Sequence, residues 1–187
     1  VDYVLMQGDK EIFPCYAYRD GRTERAVKEA HAVLPFEKLY ERTGIQFQPF
    51  NTVYQLYADK LAGRLEKADG FLMLPEYLLY KLTGKRVCEY TNATSTGLVN
   101  AKTHTFDAEI ISSLGLPARL FEKQIVQPGT AIGPLKKEVA AEVGGNMTAV
   151  LCATHDTASA VLAAPVASDF NSPYISSGTW SLLGIEQ

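Results

Sequence analysis

The tetrapeptide Thr154-His155-Asp156-Thr157 sets a carboxylate, an imidazole and two hydroxyls between an apolar run, residues 149–153, and a second run rich in small residues. That order reads as strand, polar turn, helix. A carboxylate at the C-terminal end of a buried strand lies where open α/β sheets bind ligands, which makes Asp156 a candidate catalytic group. Asp156 also has an ordinary reading as a helix N-cap, because Asp and Thr oxygens accept the free amide hydrogens of a first helical turn. A second chemical candidate is Ser177-Gly178-Thr179, between two short strand-like runs. Gly178 and Thr179 at a hairpin tip can offer a backbone amide and a hydroxyl to a phosphate, although Gly-Thr is an ordinary turn as well.

The elements that must position these groups follow from periodicity and punctuation. Residues 1–6 and 11–18 alternate as strands around a Gly8-Asp9 turn. A helix over residues 23–33 is expected to be capped by Thr23 and to bury Ala26, Val27, Ala30 and Val33. Pro35 opens a second helix that Gly44 closes. Residues 45–52 are aromatic and amide-rich. They read either as a loop packed by Phe47 and Phe50 or as a wall suited to sugar hydroxyls, since amides both donate and accept.

A helical stripe at 53, 56, 57, 61 and 65 breaks at Asp69-Gly70. Pro75 then starts a helix expected to bury Leu78, Leu79 and Leu82 before Gly84 stops it. Residues 89–107 read as a long hydroxyl-rich loop, 106–114 as a short helix, and Pro117 as the start of another. Residues 128–134 read as an extended linker and 135–145 as a helix leading into the strand before Asp156. Residues 173–186 read as strand, turn, strand.

With 47% hydrophobic and 21% charged residues over 187 positions, the chain can bury a core as one domain, or one domain plus a piece. A net charge of −3 without long like-charge runs gives no footprint for nucleic acid or an anionic membrane. Cys15, Cys88 and Cys152 lack zinc-ligand spacing and read as reduced, mostly buried thiols of a cytoplasmic protein. No run reaches the roughly 18 apolar residues of a membrane helix. The chain opens on Val1 inside a strand-like run, which is expected of a piece of something longer.

In this order the pieces resemble the FGGY family of carbohydrate kinases, and within it the rhamnulokinase branch. The resemblance rests on VDYVL, AYRDGRT at 17–23, TGIQFQPFNTVYQLYA at 43–58, LPEYLLYKLTG at 74–84, EYTNATSTGLVN at 89–100, ATHDTASAV at 153–161 and SSGTWSLLG at 176–184. It implies an α/β fold of the ribonuclease H-like, actin/hexokinase/Hsp70 type, with an incomplete first domain and one hairpin of the second. Residues 1–155 would be the latter part of the first domain. Residues 156–171 would hold the catalytic Asp, connecting helix and linker, and 172–187 the first hairpin of the second domain.

The resemblance further implies ATP-dependent phosphorylation of a ketose with magnesium, for this branch at the 1-hydroxyl of L-rhamnulose. Asp156 would be the general base, His155 and Thr157 its sugar-contacting neighbours, and Gly178 and Thr179 a loop touching ATP phosphates. A kinase for another ketose, such as L-fuculose or D-xylulose, and a non-catalytic sugar-binding module of the same fold are the alternatives. No counterpart of the family's first phosphate-binding loop is found in the sequence, so the chain by itself is expected to be inactive.

Overall fold

The computed structural model describes residues 1–165, 172–178 and 180–185. Its centre is strand β1 (Tyr3–Gln7), which pairs antiparallel with β2 (Lys10–Ile12) on one side and with β3 (Gly70–Met73) on the other. The β1–β2 turn lies where the sequence places it, with Gly8 at φ 54°, a conformation that costs a glycine little, but the second strand stops at Ile12 instead of running to residue 18. Strand β3 was not assigned from the sequence. Its residues run straight into a helix, and a continuous apolar run carries no period to separate the two.

Side chains alternate across β1, so one strand feeds two cores. Tyr3 and Leu5 point into the large cluster, with Phe71 and Met73 of β3. Helix α1 (Thr23–Val33) brings Ala26 and Ala30 there, and α3 (Thr52–Leu61) brings Val53, Tyr54, Leu56 and Tyr57. Val4 and Met6 point the other way, onto Leu72 and Tyr80. Helix α2 (Phe36–Thr43) ends at Gly44 in the left-handed region, as expected.

Helix α4 (Leu74–Thr83) sits on the smaller core with the opposite face to the one expected. Leu78 and Leu82 are 57% and 45% exposed, while Glu76, Tyr80 and Thr83 are buried. The inward face is selected by hydrogen bonds: Glu76 accepts the Met73 amide at 3.1 Å, and the Tyr80 hydroxyl donates to Asp9 at 2.9 Å. Those two contacts fix the rotation of the helix, leaving Leu78 and Leu82 outside and Leu79 half-buried. On α1, Val33 is likewise exposed and Thr23 caps nothing; Arg22 holds the N-cap position without a side-chain bond.

The stretch read as a loop contains α5 (Tyr90–Thr94), capped by Glu89, whose carboxylate accepts the Thr91 and Asn92 amides. Helix α6 (Ala108–Ser113) is capped in the same way by Asp107, and a 3-10 turn follows Pro117. The linker before the site is itself a strand, β4 (Ala131–Pro134), paired antiparallel with β5 (Thr148–Val150), and α7 (Lys137–Val143) joins the two. The strand leading to Asp156 is therefore shorter than expected and lies in a two-stranded ribbon apart from the sheet of β1, with Val150 58% exposed. Leu151 and Ala153 beyond it are buried. Helix α8 (Asp156–Leu162) and a hairpin of β6 (Tyr174–Ser177) and β7 (Ser181–Gly184) complete the described elements.

All three cysteines are free, but only Cys88 is buried, which corrects the expectation of mostly buried thiols. Burial pushes the Cys88 thiol up to about 12, so it is no nucleophile near neutrality. Among the described residues no helix is long and apolar enough to cross a membrane.

Candidate active site

Asp156 is the first residue of α8, and its side chain is fully exposed. Its Oδ1 accepts only the adjacent Thr157 amide, at 2.7 Å, among the contacts of the described residues. The N-cap belongs to His155, whose Nδ1 accepts the Ala158 amide at 3.3 Å. The capping reading of Asp156 is therefore answered by its neighbour, and the carboxylate is left free to meet a ligand.

A ring nitrogen that accepts an amide hydrogen carries no proton of its own, which fixes His155 as the neutral tautomer protonated on Nε2. Burial holds the imidazole below its ordinary range, against the pull of the Asp156 charge. The 3.9 Å between His155 Nδ1 and Asp156 Oδ1 is accordingly a proximity rather than an ion pair.

Several element ends converge on this point. The carboxylates of Asp2, Asp156 and Glu76 lie near enough to the Val1 nitrogen for their charges to act there. The carbonyl of Val1 accepts from Thr52 Oγ1 at 2.8 Å and Gln55 Nε2 at 3.3 Å, which brings in the start of α3. The start of α5 joins through Thr91, whose Oγ1 accepts the His155 amide at 3.3 Å. The site thus lies where β1 begins and where α3, α4, α5 and α8 start, and their helix dipoles favour negative groups there.

Two residues central to this arrangement were not singled out from the sequence. Glu89 is wholly buried, and its Oε2 accepts the amide and hydroxyl of Thr154 at 3.1 and 2.8 Å. Glu76 is wholly buried too and accepts the Glu89 amide at 2.8 Å. Glu89 carries no cap signal in the sequence, because the usual N-caps are Ser, Thr, Asp and Asn. Glu76 gives no signal either, since a Glu after Pro in a leucine-rich helix reads as solvent-facing.

The amide-rich loop divides between its two readings. Phe47 packs into an aromatic group with His31, Phe36 and Tyr54, and the cavity beneath the loop measures about 10 Å³, room for a water at most. Asn51 is spent on the backbone, donating to Ser95 O at 3.3 Å and accepting the Gln48 amide at 2.8 Å. Phe50 turns instead toward Tyr18, ring centroids 5.2 Å apart, and toward Trp180 at 6.4 Å. Of the two residues expected to contact a nucleotide, Gly178 sits at the end of β6 with its amide donating to Trp180 O at 2.8 Å, and Thr179 lies outside the described residues.

Residues 2–163 match the model of the FGGY family of carbohydrate kinases, N-terminal domain. The whole chain aligns at 48% identity with a rhamnulokinase of Oceanobacillus iheyensis, covering 40% of it, and at 47% with one of Pectobacterium carotovorum, covering 37%. The chain therefore spans about two fifths of the curated relatives it matches. Among solved structures, the ligand-bound xylulose kinase of Lactobacillus acidophilus superposes with a TM-score of 0.72 at 25% identity, over 81% of this chain and 32% of that one. A carbohydrate kinase of Novosphingobium aromaticivorans superposes with a TM-score of 0.74 at 22% identity, over 99% of this chain and 40% of that one. The fold is thus the ribonuclease H-like α/β type of the sugar kinases, and the chain belongs to the FGGY family of carbohydrate kinases.

Proposed function

We propose that the chain is the Asp156-bearing part of an ATP-dependent sugar kinase that phosphorylates the 1-hydroxyl of L-rhamnulose. The observation that carries this reading is the exposed carboxylate of Asp156 at the head of α8, which among the described residues accepts only the Thr157 amide, in a chain 48% identical along its length to a rhamnulokinase. Residues 1–155 are assigned to the first kinase domain, 156–171 to the catalytic turn and connection, and 172–187 to the second domain.

Phosphoryl transfer asks a protein mainly to hold acceptor and γ-phosphate in line and to neutralise oxygen charge. Asp156 supplies what the acceptor side needs. Its carboxylate accepts a hydrogen bond from the sugar hydroxyl, aims an oxygen lone pair at the γ-phosphorus, and receives the proton as the new O–P bond forms and the bond from that phosphorus to the β-phosphate oxygen breaks, releasing ADP. His155, neutral and with Nε2–H as donor, and Thr157, with a hydroxyl that both donates and accepts, flank it as sugar contacts. Gly178 and Thr179 are assigned to the phosphate side on family likeness. Magnesium in such a reaction arrives with the triphosphate and spreads its charge. Among the described residues no three His, Cys, Asp or Glu side chains are grouped to hold an ion, so none of them is given that role.

The test is turnover by the full-length protein with ATP and L-rhamnulose, L-fuculose or D-xylulose. L-rhamnulose is expected to give the highest kcat/KM, and Asp156→Asn to lower kcat by about 10²–10⁴-fold with little change in the KM for ATP. An Asp156→Asn variant with wild-type turnover would remove Asp156 from the chemistry. Sugar binding without turnover by the wild type would favour a non-catalytic module.

A further inference from the structure

Helix α8 buries none of its residues fully and half-buries Thr157, Ala158, Ser159 and Val161. The backbone just before it is held by polar contacts to the first turn of α5. Thr154 gives both its amide and its hydroxyl to Glu89 Oε2, and the His155 amide reaches Thr91 Oγ1. Thr91 Oγ1 in turn donates to the same Glu89 oxygen at 2.6 Å.

Capping α5 requires of Glu89 only the amides of Thr91 and Asn92, accepted at 2.8 and 3.0 Å. The two bonds from Thr154 serve no helix end and span 65 positions of sequence. Glu89 is itself fixed from behind, since its amide donates to the buried Glu76, which also holds Met73 at the end of β3. A continuous chain of contacts therefore runs from the central sheet through two buried carboxylates to the residue two before Asp156.

We propose that Glu89 is a positioning residue for the phosphoryl-transfer reaction, holding Thr154 and His155 so that the Asp156 carboxylate meets the acceptor hydroxyl in line. The assignment rests on the reading of Asp156 as the base. A carboxylate suits the task because one of its oxygens can accept several donors at once and, unlike a serine or an amide, has no hydrogen to misdirect. The geometry needs this care, because a misplacement of about 1 Å can cost about 10²-fold in rate.

The experiment uses the full-length kinase and compares Glu89→Gln, Thr154→Val, Thr154→Ser and Asp156→Asn for kcat, the KM values of sugar and ATP, and the melting temperature. Glu89→Gln is expected to lower kcat at least about tenfold with the KM for ATP within about twofold, since a 1 Å error costs more than this. Thr154→Val, which leaves the α5 cap intact, should lower kcat in the same direction by less. Thr154→Ser restores the hydroxyl and should restore kcat. If Thr154→Val keeps wild-type kcat and only its melting temperature falls, Glu89 is a structural cap and the proposal is wrong, whether or not Glu89→Gln folds. If Asp156→Asn is inactive in that same case, the base reading survives alone; if Asp156→Asn is fully active, both fall.

Discussion

Two buried carboxylates, Asp59 and Glu89, are 1% and 0% exposed, yet they are solvated by opposite means. Asp59 is surrounded by cations. Its Oδ1 accepts from Arg22 and Arg64, both at 2.7 Å, and its Oδ2 from the Tyr3 hydroxyl at 2.6 Å. Both guanidinium groups also lie over the Tyr16 ring, at 4.3 and 4.7 Å from its centroid. Glu89 accepts only amides and hydroxyls. The first arrangement is a staple: it ties β1, α1 and α3 together, and two cations neutralise the carboxylate within the fold. The second is a mount: neutral dipoles stabilise the negative charge, and among the described residues no cation is hydrogen-bonded to it.

The contrast predicts different failures. Asp59→Ala leaves two guanidinium groups, each with a side chain only 16% exposed, facing each other unpaired. The expected loss is about 3–5 kcal/mol of stability, read from urea unfolding midpoints, with kcat of the folded fraction unchanged. A folded Asp59→Ala protein with impaired kcat would break the distinction between staple and mount. Asp107 is a mixed case that sharpens it, since it caps α6 yet pairs with Arg42 at 2.8 Å, and Arg42 keeps 31% exposure. Water can take over that cation, so Asp107→Ala should cost about 2 kcal/mol, the upper range for a lost cap, and again spare kcat. Thr154→Val, on the mount, should cost about 1 kcal/mol of stability for one hydrogen bond while changing turnover.

How much of this was legible in the sequence depended on whether a residue's partner was near it in the chain. Helix α1, the Gly44 and Gly84 stops and the β1–β2 turn follow local rules and appear where the residues put them. Asp156 at a helix start was legible for the same reason. Strand β3 and the inward face of α4 were not, because β3 is defined by pairing with β1 and α4 is turned by contacts of Glu76 and Tyr80 to residues outside it. Leucine spacing on α4 predicts a core face, and hydrogen bonding to a buried carboxylate overrode it. The mount was invisible on the same ground: Glu89 and Thr154 lie 65 positions apart, and only the fold brings them into contact.

Within the mount itself the two glutamates should respond to pH in opposite directions. Burial pushes the Glu76 carboxyl up, and the charge of Lys123 with two amide donors offsets this only in part. Burial acts upward on Glu89 too, but there the donors from Thr91, Thr154 and Asn92 outweigh it and hold the carboxyl below the ordinary 4.5. A raised folded-state pKa adds stability that is complete below the unfolded value and fades as pH climbs through the folded one. A lowered pKa adds stability that is present above the unfolded value and fades as pH falls through the folded one. The stability difference between wild type and Glu76→Gln should therefore shrink as pH rises above about 4.5, and that between wild type and Glu89→Gln should shrink as pH falls below about 4.5. Urea midpoints measured from pH 3.5 to 7 would show the two slopes. Slopes of the same sign would mean that the dipoles around Glu89 do not overcome its burial, and the contrast with the cation-bound Asp59 would lose its physical basis.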